Sequence, residues 1–340
     1  MKLKITRLTN ILMAGVLSFG ASIVNAEGAK QHTLCVFDPI GANGPLFDQM
    51  KDYKVAALEW GVDLKMVPYT DERVAAEDFK AGLCDAVSVT GIRGRQFNSF
   101  TGTLDSIGSM PTYDHLSLAL NTLSKPKAAK FMRNGAYEVA GIIPAGAAYL
   151  FVNDRKIDTI GEVSGKRIAY LDNDPAQKVL ITNAGASPVA SSITNMYSKF
   201  NNRSVDIVAA PAMLYEAMEL YKGLKPTGAI VRYALAQVTI QLLVKWEAFP
   251  EGFGQKSREY SLAQFDRAVD LIKQAEADIP ADWWLDIPAQ DIVGYQETFR
   301  QSRIVLRDQG IYDGQTLKVL RVIRCKKDPS LAECTSADKE

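Results

Sequence analysis

Histidine is almost missing from this chain. His32 and His115 are the only two in 340 residues, and they stand far apart. Zinc sites and acid–base pairs need such groups in company, so both chemistries lose their usual material. The G-x-S-x-G elbow of hydrolases and the H-E-x-x-H helix of metalloproteases are absent too. Cysteine is scarce: four residues, with no C-x-x-C spacing. An excess of either charge is lacking as well. Lys and Arg number 39, Asp and Glu also 39, which offers no basic surface for nucleic acid or anionic lipid. Beyond the first 26 residues no window approaches the ~20 apolar residues of a transmembrane helix. A catalyst, a nucleic-acid binder and a stably anchored membrane protein are all disfavoured before any fold is considered.

What is present begins with an export signal. Lys2, Lys4 and Arg7 precede an apolar run from Ile11 to Phe19, and Val24-Asn25-Ala26 supplies small residues for cleavage. That pattern is a secretory signal peptide over 1–26, with an uncleaved anchor as the alternative. The remaining 340 − 26 = 314 residues suffice for two domains. They carry 39 − 3 = 36 basic and 39 acidic groups, a net of −3. Export to an oxidising compartment turns the cysteines toward disulfides. Of three possible connectivities, the pairs Cys35–Cys84 and Cys325–Cys334 are favoured. Cys35 and Cys84 hold equivalent places in "HTLCVFDP" and "GLCDAVSVTG", although two buried free thiols are the alternative there. Cys325 and Cys334 flank Pro329 and would pin the polar tail "TSADKE".

Between the termini, strands and helices alternate. "TLCVFDP" reads as a strand, followed by a helix around 47–60 and the strand "VDLKMVPY". "DERVAAEDFKAG" is a helix with Asp71 as cap and Gly82 as stop, and "CDAVSVTG" is a third strand. The pattern resumes with "YEVAGIIPAGAAYLFVND", "KRIAYLDN", a helix opened by Pro175 and ended by Gly185, "SVDIVAAPA", the helix "MLYEAMELYKGL" and the long strand "ALAQVTIQLLVKW". The last ninety residues or so read as mostly helical. Such alternation predicts an α/β fold with mainly parallel sheets covered on both faces. Two lobes are expected: residues 27–125 with about 235–340 as lobe 1 and its C-terminal helices, and 126–234 as lobe 2. The chain would cross near 122–150 and 230–245.

Two stretches imitate phosphate loops and fail. "GEVSGKR" places three residues, not four, between Gly161 and Gly165, puts Arg167 at the hydroxyl position, and precedes a strand. "CVFDPIGANGP" lacks the third glycine of a dinucleotide fingerprint. Ligands of open α/β sheets bind beyond the carboxyl ends of parallel strands. The candidates at those ends are Asp38, Asn43, Thr90, Arg93, Tyr170 and Asp172, with Tyr113 in "SMPTYDH" nearby. Each has a plainer alternative: Asp38 as a turn residue, Arg93 and Arg95 as a solvated loop face, Tyr113 as hinge packing. No cofactor or metal is called for.

Over 154–226 the sequence resembles the solute-binding proteins of tripartite (TRAP-type) uptake systems. "NDRKIDTIGEVSGKRIAYL" and "AGASPVASSITNMYSKFNNRSVDIVAAP" carry the likeness. Along its whole length it is similar to the AdeT-like solute-binding proteins, which have also been labelled components of resistance–nodulation–division efflux pumps. The resemblance implies a periplasmic two-lobe receptor, not an enzyme, that takes a small-molecule solute and serves an integral membrane transporter. An accessory role in multidrug or aminoglycoside efflux, and hence antibiotic resistance, is the alternative it carries. The family's carboxylate-gripping arginines fall on Ala169 and near Tyr149, and its asparagine on Ala210. An organic acid is therefore a poor expectation. Tyr149, Tyr170 and Tyr215 could instead serve a neutral, aromatic or cationic solute, with core filling as the alternative for each.

Overall fold

The computed structural model describes residues 30–336, 339 and 340. The expected signal peptide lies outside the described residues. The strands are β1 (Lys30–Phe37), β2 (Val62–Tyr69), β3 (Ala86–Thr90), β4 (Arg133–Asn134), β5 (Tyr137–Val152), β6 (Arg167–Leu171), β7 (Ser187–Ser191), β8 (Ile207–Pro211), β9 (Ala229–Lys245) and β10 (Trp284–Leu285). They join in the order β2-β1-β3-β9-β5-β8-β6-β7, with β10 beside β9 and β4 beside β5. At one end β2, β1 and β3 run parallel. At the other β8, β6 and β7 run parallel. The long strands β5 and β9 are antiparallel to each other and join the two ends. The sheet is mixed, with parallel pairing at both ends.

Local sequence explains most elements. Leu34 to Phe37 of β1 and all of β3 are buried, as expected of parallel strands covered on both faces. Asp71 accepts the Arg73 amide and Gly82 ends that helix at φ +85°, a conformation glycine adopts without penalty. Asp174 caps helix Pro175–Asn183 in the same way. The β5–β9 ladder shifts register between Ala148 and Leu150, whose partners are Ala236 and Val231. Residues 232–235 thus leave the ladder where the two strands pass from one half to the other.

Some elements differ from their sequence pattern. "MLYEAMELYKGL" is two single turns, Leu214–Ala217 and Tyr221–Leu224. Glu219 at φ +51° breaks it, and the break lets Leu220 and Leu224 both enter the core around Phe200. In the helical C-terminal part, helices Phe253–Ala263 and Phe265–Asp278 meet at Gln264.

Apolar side chains cover both faces of the β2-β1-β3 end. Phe79, Leu116 and Leu120 lie on one side; Met50, Tyr53 and Phe253 lie on the other. The β8-β6-β7 end buries Phe151, Phe200, Leu220 and Leu224. Disulfides Cys35–Cys84 and Cys325–Cys334 are both formed. Helix Ala289–Asp308 ties the halves together. Its Tyr295 donates to the Asp158 carbonyl at 3.3 Å, and its Arg303 to the Ile107 carbonyl at 2.9 Å. Arg303 and Arg324 enclose the carboxylate of Glu340, so the last residue of the polar tail is buried.

Candidate functional site

The loop after β1 explains its own glycine. Asp38 is completely buried, and its carboxylate accepts the amides of Ile40, Leu46 and Phe47 at 2.8–3.0 Å. Two of those amides belong to the first turn of helix Pro45–Glu59, where a carboxylate satisfies orphan donors. A Cβ on Gly44 would sit 2.0 Å from the same carboxylate, so only glycine fits. Asp38 is a turn and helix-start residue, the plainer of its two readings. Asn43 stands exposed in the adjoining single turn Gly41–Asn43.

The end of β3 looks different. Thr90 donates to Glu72 Oε2 at 2.7 Å and accepts the Arg93 amide at 3.1 Å. Arg93 reaches Glu72 Oε1 through Nε at 3.4 Å, and its Nη2 donates to Asn173 Oδ1 at 3.0 Å. Two residues on, Arg95 Nη1 pairs with Asp174 at 2.8 Å, and both side chains are nearly buried. Asn173 and Asp174 follow β6, next to the exposed Asp172. Guanidinium groups from the β3 end therefore cross to the β6 end, and Arg93 and Arg95 are not a solvated loop face. Ile92 packs on the core around Phe151 from the same turn, while Ile193 returns to the core around Phe79.

Behind these bridges lies a buried polar layer. Asp105 accepts the Thr239 hydroxyl at 2.7 Å and its amide at 3.1 Å. Burial pushes the Asp105 carboxyl up to about 7, against the pull of Thr239 and Arg95, while the Asp174 charge adds to the rise. Gly91 closes over this layer, since a Cβ there would come within 2.6 Å of the Thr239 hydroxyl.

The tyrosines separate into two groups. Tyr113 and Tyr149 both donate to Glu276 Oε1, at 2.6 and 2.8 Å, and the Tyr113 oxygen accepts the Ala147 amide. Tyr149 meets Trp284 edge-on at 5.1 Å. Burial raises both phenols well above the usual range, and Glu276 adds to it. They sit where β5 crosses between the halves. Tyr170 and Tyr215 instead fill the core of the β6 end, as do Ala169 and Ala210. A strand's period of two sends neighbours to opposite faces, and which face meets the other half is not written in the local sequence. Glu72, Asn173, Asp174, Tyr197 and Glu276 were not singled out. Local sequence marks Asp174 only as the cap before Pro175 and Glu72 only as a first-turn residue after its cap, and it marks Asn173, Tyr197 and Glu276 not at all.

A family profile described as solute-binding protein AdeT 1/2 matches residues 54–339. The chain is 44% identical to the "probable solute-binding protein AdeT1" of Acinetobacter baumannii, over 89% of this chain and all of that protein. It is 28% identical to AdeT2 of the same organism, over 68% of this chain and 98% of that one. Among solved structures it resembles a TRAP periplasmic solute-binding protein from Desulfovibrio salexigens with bound orotic acid. That match has TM-score 0.69 and 15% identity, covering 87% of this chain and 99% of the other. A second, from Ralstonia eutropha H16 with bound (S)-2-acetolactate, matches at TM-score 0.70 and 13% identity, with the same coverage. At such identities these structures establish the fold, that of a two-domain periplasmic binding protein.

Proposed function

The chain belongs to the AdeT 1/2 family of solute-binding proteins, and on that premise we propose that it is a periplasmic receptor. It holds one small molecule between its lobes and delivers it to an integral membrane transporter. Lobe 1 comprises 27–125 with about 235–340, lobe 2 comprises 126–234, and the signal over 1–26 is removed on export. The reading is carried by the pair of side-chain bridges Arg93–Asn173 and Arg95–Asp174. Polar groups at the strand ends of two lobes reach one another, which is where open α/β sheets take ligands. On this reading Thr90, Arg93, Asp172 and Asn43, all at or beyond strand ends, are offered to the solute, with Tyr113 and Tyr149 beside the crossing strands. Lobes that bend about β5 and β9 would close on the solute, contacts from both sides favouring the closed form.

Binding without catalysis suits these residues, because no nucleophile–base pair stands among them. The efflux-accessory alternative gains nothing from the fold. Its adaptors need long coiled-coil hairpins, whereas the longest helix among the described residues spans 20. A thermal-shift screen of residues 27–340 against a metabolite and aminoglycoside library tests the receptor. A saturating solute should raise the melting temperature by mass action. A library without a single shift, together with co-purification of a pump component, would sink the reading.

A further inference from the structure

The facing walls of the two lobes carry an uneven charge. Glu72 is 0% exposed, in the first turn of helix Glu72–Ala81. Its Oε2 accepts the Thr90 amide at 3.2 Å and the Thr90 hydroxyl at 2.7 Å. Among the described residues its Oε1 has only Arg93 Nε at 3.4 Å, long for a charge-assisted bond. Arg93 spends its Nη2 on Asn173. The other cations of these walls are committed: Arg95 to Asp174, and Lys199 to the Ala190 carbonyl at 2.7 Å and the Ser191 hydroxyl at 3.1 Å. Burial accordingly raises the Glu72 carboxyl above its ordinary range, and Arg93 and Thr90 offset this only in part. From lobe 2 Tyr197 comes near enough for the Glu72 charge to raise its phenol, after burial as the main cause. Tyr197 is 5% exposed. Its hydroxyl makes no hydrogen bond among the described residues. A buried carboxylate whose one cationic partner stands at 3.4 Å, with an unbonded hydroxyl within reach of its charge, suits a cation rich in donors.

We propose that the solute carries a protonated amine or guanidinium group, received by the Glu72 carboxylate and the Tyr197 hydroxyl in place of Arg93 Nε. The proposal rests on the receptor reading above and narrows it to a ligand class. Glu72 belongs to lobe 1 and Tyr197 to lobe 2, so the cation is gripped from both sides and binding favours closure. Arg93 keeps its link to Asn173 and swings aside only at Nε. Cation binding favours the ionised carboxyl and opposes the rise that burial imposes on it. Affinity is then greatest at neutral and alkaline pH, and falls as acid protonates Glu72.

The test is calorimetric titration of the full exported chain with primary amines and with carboxylic acids and alcohols built on the same carbon frames. Amines should bind roughly ten- to a hundredfold tighter than their partners, the worth of a charge-assisted bond. Glu72→Gln should remove at least about tenfold of that advantage, and Tyr197→Phe a few-fold, with melting temperatures checked for both. Should Glu72→Gln fail to fold, Tyr197→Phe and the loss of amine affinity on acidification decide the matter. Preferential binding of acids overturns the proposal and leaves the receptor standing. Amine binding that is equal in wild type and both variants overturns it too. Absence of amine binding overturns the proposal, and the thermal-shift screen of the wider library then decides the receptor reading on its own.

Discussion

Asp38 is spent on its own loop, and that can be measured. Asp38→Ala removes the acceptor of three amides and should cost roughly 1–3 kcal/mol in urea unfolding. Solute affinity should be unchanged. A large loss of affinity at full stability would instead return Asp38 to the cleft. Asp105 has the opposite character. Its carboxyl rises from 3.8 to about 7 in the folded protein, so between those values the folded state binds more protons than the unfolded. Its contribution to stability therefore declines as pH rises from about 4 to about 7. Asp105→Asn should flatten that slope and gain on the wild type above pH 7, in melting curves recorded from pH 4 to 8.5. An unchanged slope would show that Asp105 ionises freely in the fold. Caps such as Asp71 were legible because the signal is local: side chain, amide and stop lie within a dozen residues. Glu72 and Tyr197 were not, since their meaning depends on a partner more than a hundred residues away.

At the scale of elements, the strands and most helix starts could be read from periodicity and punctuation. The sequence pattern overstated continuity where burial demanded a turn, as at Glu219, whose break brings both Leu220 and Leu224 inside. It could not show the register shift at 232–235, because pairing between β5 and β9 is set by lobe packing. The cysteine pairing was within reach because β1 and β3 are neighbours, and the two bridges close loops of unequal size. Cys35–Cys84 spans 49 positions and Cys325–Cys334 spans 9. In the chain-entropy view the larger loop is worth about 4 kcal/mol and the smaller about 3. Replacing each pair by serine should therefore cost more at 35 and 84, by denaturant unfolding. Equal or reversed costs would show that native contacts, not loop closure, dominate.

For the whole molecule, two lobes and a crossing pair of strands were foreseeable from the order of elements and the family resemblance. The bridges between lobes were not, since Arg93 and Arg95 look like any basic loop until the far strand end is placed opposite. Arg95→Met leaves Asp174 buried without its cation and should weaken solute binding chiefly through faster release. Stopped-flow displacement would record it, and unchanged release would exclude the bridge from closure. Closure itself is the central claim, and all four cysteines of the chain are paired. Spin labels can therefore be placed specifically at two exposed positions, Glu77→Cys on lobe 1 and Glu162→Cys on lobe 2. Distances between them, measured by double electron–electron resonance with and without a saturating solute, address the claim directly. The account predicts that bound solute collapses the distribution to a single short distance. A solute that saturates the protein and leaves the distribution unchanged would contradict it.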